Sequence, residues 1–91
     1  QKTGETIYIN KASFWFGKDA GNVDYCIAGN AAISRRHALI TIRNNECFIQ
    51  DNHSTNHAFL NGHVLEAGVD TPLSDGDRVR MGDEEFTVSI G

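Results

Sequence analysis

The chain predicts an all-β domain, an antiparallel β-sandwich, and three features of its sequence lead there. No stretch repeats apolar residues at the spacing of a helix. Short alternating or β-branched runs recur instead from one end to the other. Between them stand Asn, Asp and Gly residues of the kind that reverse a chain in a few positions. Many short strands, frequent turns and no helix leave packed antiparallel sheets as the architecture that buries one face of each.

The strands are expected in order at Thr6–Asn10, Ser13–Phe16, Tyr25–Ile27, Ala38–Arg43, Cys47–Gln50, Ala58–Leu60, Val64–Leu65, Arg78–Met81 and Phe86–Ile90. Phe14, Trp15 and Phe16 are consecutive, so alternate rings face opposite sides of their strand. Asn44-Asn45 and Asn61-Gly62 suit two-residue hairpin turns, where consecutive residues take positive φ. Ser74–Asp77 and Gly82-Asp83 mark two further reversals.

With 91 residues, 40% of them hydrophobic and 22% charged, the chain reads as one ordinary globular domain with a single core. No run reaches membrane-spanning length and no signal-peptide pattern opens it. It starts at Gln1 and its one methionine is Met81, so residues 1–91 are expected to be a domain cut from a larger protein. Cys26 and Cys47 are too few and too far apart for a zinc knuckle or a CxxC motif. Each falls in a strand-like run, which suggests reduced, buried thiols in a cytoplasmic protein, with a single disulfide as the other option.

The net charge of -4 argues against non-specific nucleic-acid binding, but the charge is unevenly spread. Between Asp24 and Glu46 there is no acidic residue, while Arg35, Arg36, His37 and Arg43 all fall inside. This suggests a positive patch on an acidic body, suited to a small anion. Geometry gives the patch a place. If Ala38–Arg43 and Cys47–Gln50 pair across Asn44-Asn45, then Ser34–His37 and Asp51–Asn56 become neighbouring loops. Gly17-Lys18 can join them from an earlier strand. Hydroxyls, amides and cations converging on one point are what a phosphate requires.

Asp51 is expected to bond loop amides, as acidic residues at turns do. The four histidines, His37, His53, His57 and His63, match no zinc or di-metal spacing together with Asp51, so no metal is expected. Ser34 and His37 look superficially like a nucleophile and its base. No third residue at a readable spacing orients the histidine, and an enzyme is not expected.

Four motifs in order carry a resemblance to a known family. They are "FWFGKD" (Phe14–Asp19), "ISRRHA" (Ile33–Ala38), "IQDNHSTNHAFLNG" (Ile49–Gly62) and "LSDGDRVRMGDEEFTV" (Leu73–Val88). Together they resemble the forkhead-associated (FHA) domain, a module that recognises phosphothreonine in partner proteins during signalling. The resemblance implies a sandwich of the FHA/SMAD-like type, with about ten to eleven short strands and ligand loops at one end. It also implies site roles. Ser34 donates its hydroxyl to the phosphate, Arg35 and Thr55 add donors, and Lys18 supplies charge. Asn56 clamps the peptide backbone. Read from the residues alone, Arg36 is either a free surface cation or a contact to peptide residues flanking the phosphate. Gly17, His37, Asp51 and Ser54 support the site, His37 as a packed imidazole. The implied partner is a threonine-phosphorylated protein or peptide, bound without cofactor by a monomeric domain that engages neither nucleic acid nor membrane.

Three positions depart from the family pattern. Lys18 keeps the charge of the usual arginine but lacks its planar fork. His57 stands where glycine normally permits a left-handed turn. Ala58 replaces a threonine. These departures give the second reading, a phosphate-independent interaction domain that keeps the fold with a degenerate phosphate site.

Overall fold

The computed structural model describes residues 5–27, 29 and 31–90. Ten strands make up its regular structure. They are β1 (Glu5–Ile9), β2 (Ser13–Gly17), β3 (Tyr25–Cys26), β4 (Ala38–Arg43) and β5 (Glu46–Asp51). The second half contributes β6 (Ala58–Leu60), β7 (His63–Val64), β8 (Thr71–Leu73), β9 (Arg78–Met81) and β10 (Glu84–Ile90). One sheet has the order β1-β10-β9-β6-β7 and the other β3-β2-β4-β5-β8.

Alternation along each strand sends one set of side chains between the sheets. Ile7 and Ile9, Phe14 and Phe16, Ala38 and Ile40, Val79 and Met81, and Phe86 and Val88 are the buried alternates. The rings of Phe14 and Phe16 lie 5.2 Å apart, while Trp15 between them is only half-buried on the outer face. Burying each such large apolar side chain is worth about 1.5–3 kcal/mol, so this layer is the main source of cohesion.

Both hairpin turns form as the sequence indicates. Asn44 and Asn45 take φ of 51° and 66°, and Asn61 and Gly62 take 50° and 87°. The first turn fixes the register of β4 on β5, with Arg43 opposite Glu46 and, at the other end, Ala38 opposite Asp51. The start of β4 and the end of β5 are therefore side by side.

The structure departs from the expected pattern in three respects. The sheets are mixed: β1 runs parallel to β10, and β2 parallel to β3. Parallel pairs join segments remote in sequence or linked by a crossover, so no local turn signal announces them. The strand β8 was not anticipated because Pro72 lies within it. It is an edge strand, where a missing N–H costs no ladder bond on the open side. Third, Cys26 is exposed rather than buried and Cys47 is half-buried, and both thiols are free.

Candidate functional site

Three loops meet at the end of the sandwich where β2 ends, β4 begins and β5 ends. Backbone bonds stitch the first two together: the Lys18 N–H donates to the Ser34 carbonyl and the Asp19 N–H to the Arg35 carbonyl, each at 3.2 Å. The approach is close enough that Gly17 has no room for a side chain. A Cβ there would fall 1.9 Å from the Arg35 carbonyl oxygen. This is the physical reason for glycine at position 17.

His37 joins the second loop to the third from the inside. It is fully buried, and both ring nitrogens are engaged. The Ser34 N–H donates to Nδ1 at 3.0 Å, and Nε2 donates to the His57 carbonyl at 2.7 Å. These partners fix the neutral tautomer with its proton on Nε2. Burial pushes the His37 pKa below its ordinary value, although the His57 carbonyl and the nearby Asp51 favour the charged form. Ser34 and His37 are not paired as nucleophile and base, because the imidazole meets the serine through its backbone and has no nitrogen left for the hydroxyl.

The third loop is held by Asp51, also fully buried. One carboxylate oxygen accepts from the Ser54 hydroxyl and the other from the Ser54 N–H at 3.4 Å. The loop then passes His57, whose φ of 63° is left-handed. The backbone thus makes the turn for which glycine is the usual residue, with a Cβ present. Ala58 follows as the fully buried first residue of β6.

These supports expose a set of donors. Ser34 Oγ accepts from the Thr55 N–H at 3.2 Å, which leaves its own proton available to a ligand. Asn56 is braced by its amide donating to the Ala32 carbonyl at 3.0 Å. Lys18, Ser34, Arg35, Thr55 and Asn56 line one open groove of about 360 Å³, together with Ala31, Ala32 and Ile33. Five of the six expected contact residues are brought together. Arg36 is not among them, since its guanidinium lies over the Trp15 ring, 4.1 Å from the centroid. The groove-lining Ala31–Ile33 and the brace at Asn52, whose amide donates to the Arg36 carbonyl at 2.9 Å, were missed. Small apolar side chains and a single loop amide carry no chemical signal in a sequence.

Lys11 pairs with Asp24, and Arg43 with Asp70. Among the described residues, no carboxylate pairs with Lys18, Arg35 or Arg36. No group of three or more His, Cys, Asp and Glu side chains among the described residues is placed to hold a metal ion. No described helix is long and apolar enough to cross a membrane.

Known proteins share both the sequence pattern and the fold. Residues 14–82 match the model of the FHA domain family. The fork-head transcriptional regulator FHL1 of Candida albicans is 36% identical over 66 residues, which cover 71% of this chain and 6% of that protein. Mycobacterium tuberculosis EmbR, solved with a low-affinity phosphopeptide, superposes with a TM-score of 0.78 at 28% identity. That match covers 91% of this chain and 21% of EmbR. The N-terminal FHA domain of Saccharomyces cerevisiae Rad53p, solved with a phosphothreonine peptide, gives a TM-score of 0.72 at 26% identity. There the match covers 81% of this chain and 61% of the other. With its motifs matched in order across well over half its length and its two sheets superposing on those of such domains, this chain belongs to the FHA domain family.

Proposed function

We propose that the chain is a phosphothreonine-dependent recognition module of a cytoplasmic signalling protein, binding as a monomer and without a cofactor. The observation that carries this reading is the groove in which Lys18, Ser34, Arg35, Thr55 and Asn56 converge, with neither cation paired to a carboxylate among the described residues. Such a surface answers a phosphate, which carries a charge of about -1.5 to -2 at neutral pH and accepts several hydrogen bonds. The complexes of EmbR and Rad53p with phosphopeptides support it by kinship. In this reading Ser34 donates its hydroxyl, Arg35 and Lys18 neutralise charge, the Thr55 region adds donors and Asn56 holds the peptide backbone. The Candida albicans relative is a transcriptional regulator, so the protein that carries this module is a proposal separate from the module itself.

The test is a fluorescence-anisotropy titration with a degenerate phosphothreonine library, its unphosphorylated counterpart and its phosphoserine counterpart. Phosphothreonine should bind best and lose affinity with salt, since part of the attraction is screened. Arg35→Ala should weaken binding by about 1–3 kcal/mol, the worth of a charge-assisted hydrogen bond. Equal affinity for phosphorylated and plain peptides would sink the reading in favour of a phosphate-independent interaction domain. The departures at Lys18, His57 and Ala58 motivate that second reading.

A further inference from the structure

Every carbonyl of the Ser34–His37 loop already has a donor. Backbone N–H groups meet three of them: those of Lys18 and Asp19 reach the Ser34 and Arg35 carbonyls, each at 3.2 Å, and that of Asn52 reaches the His37 carbonyl at 2.9 Å. The Arg36 carbonyl is met by a side chain instead, the Asn52 amide at 2.9 Å. Asn52 thus continues the β4–β5 ladder past the Ala38–Asp51 pair, first with its backbone and then with its amide. Beyond it the chain turns off at His53, whose φ is 50°.

A trans peptide sets its C=O and N–H on opposite sides, and no described peptide bond is cis. With the Ser34 and Arg35 carbonyls turned to Lys18 and Asp19, the Arg35 and Arg36 N–H groups point away from that backbone. Neither has a partner among the described residues. The next peptide plane is held from both sides. The His37 N–H donates to the Phe16 carbonyl at 2.7 Å, and Asn52 holds the Arg36 carbonyl. Without the Asn52 amide, the Arg36 carbonyl would be the one oxygen of the loop with no donor. Successive free N–H groups attract an anion, whereas a loose carbonyl turned among them repels it.

Asn52 does not line the groove, so any effect it has on a ligand passes through this loop. Resting on the phosphothreonine reading, we infer that Asn52 is a positioning residue for phosphate recognition. Its amide keeps the Arg36 carbonyl turned away, so that Ser34, Arg35 and Arg36 present only donors to the phosphate. A loop fixed in this way before the ligand arrives loses less entropy on binding.

The experiment uses the whole 91-residue chain. A phosphothreonine peptide and its unphosphorylated twin are titrated by fluorescence anisotropy. Asn52→Leu keeps the bulk and removes the donor, and Asn52→Ala is the second truncation should leucine disturb the fold. Each should weaken phosphopeptide binding by about three- to tenfold, the worth of one neutral hydrogen bond. A double-mutant cycle with Arg35→Ala separates positioning from plain structural support. If Asn52 acts by presenting Arg35, its replacement should cost markedly less once the Arg35 side chain is gone. Asn52→Gln returns an amide on a longer arm and should bind more tightly than Asn52→Leu. Unchanged affinity in the truncated variants, equal losses with and without the Arg35 side chain, or Asn52→Gln no better than Asn52→Leu would each overturn the inference alone. If the unsubstituted chain binds the phosphopeptide no better than its twin, the phosphothreonine reading falls and this inference falls with it.

Discussion

At the scale of single residues, backbone constraints outrank side-chain chemistry in this site. Gly17→Ala drives a methyl into the Arg35 carbonyl, and backbone on both sides leaves no flexible group to yield. The cost should reach the upper end of the about 1–3 kcal/mol typical of overpacking, read as a lowered urea midpoint. His57 presents the opposite case. Its side chain is exposed and its φ is 63°, so the residue bears the left-handed conformation without packing to offset it. A left-handed L-residue costs roughly 1–2 kcal/mol, and the freedom glycine adds to the unfolded chain returns about half of that. His57→Gly should therefore raise stability by about 0.5–1 kcal/mol, while His57→Ala, which keeps a Cβ, should not. Lys18→Arg restores a forked donor at unchanged charge, so any gain in phosphopeptide affinity measures geometry rather than attraction.

At the scale of elements, the loops that build the groove are tied through one imidazole, and this makes their order depend on pH. The folded state holds His37 neutral with its pKa depressed by burial, whereas in the unfolded chain it titrates near 6.5. Above about pH 6.5 both states are neutral and the contribution is fully present. As pH falls below that point the unfolded chain binds the proton more readily, so stability declines toward the folded pKa. Urea midpoints measured without peptide between pH 7.5 and 5.5 should fall on acidification, and His37→Gln should flatten the trend. The elements themselves were largely legible. The boundaries of β4, β6 and β9 coincide with the expected runs because a two-residue turn or a motif pins each. The runs at β7 and β10 were misplaced by one or two residues, where polar His63, Glu84 and Glu85 take strand positions. Of the site, the residues with charge or hydroxyls were readable in advance. The stacking of Arg36 on Trp15 was not, since it depends on a face of β2 and a loop 21 residues later.

At the scale of the whole molecule, the two thiols test the packing independently of any ligand. Cys26 is exposed beside the Lys18 carbonyl, 3.7 Å from its Sγ. Cys47 is half-buried between β4 and β8, and burial pushes its thiol pKa up. Since the thiolate is the reactive form, an alkylating agent at neutral pH should label Cys26 quickly and Cys47 slowly, with both labelled at one rate after unfolding. Similar rates in the native chain would contradict the placement of β5 between its neighbours.

The parallel pairing of β1 with β10 also settles where flanking sequence would attach. Glu5 lies opposite Phe86 and Ile9 opposite Ile90, so the two strands start at one end and finish at the other. Their starting end is that of the groove, because β10 leaves the Gly82 turn, and a Cβ on Gly82 would touch Ala32 at 2.8 Å. The strand β1 is thus entered from the end of the sheet on which the ligand loops lie. The strand β10 finishes at the opposite end, at Ile90. A phosphorylated threonine on a short leading tether would compete for the groove at the millimolar effective concentrations typical of short flexible linkers, whereas the same segment on a trailing tether would first have to span the domain. Which end of this chain a phosphorylated segment is joined to would therefore decide how readily it reaches the groove.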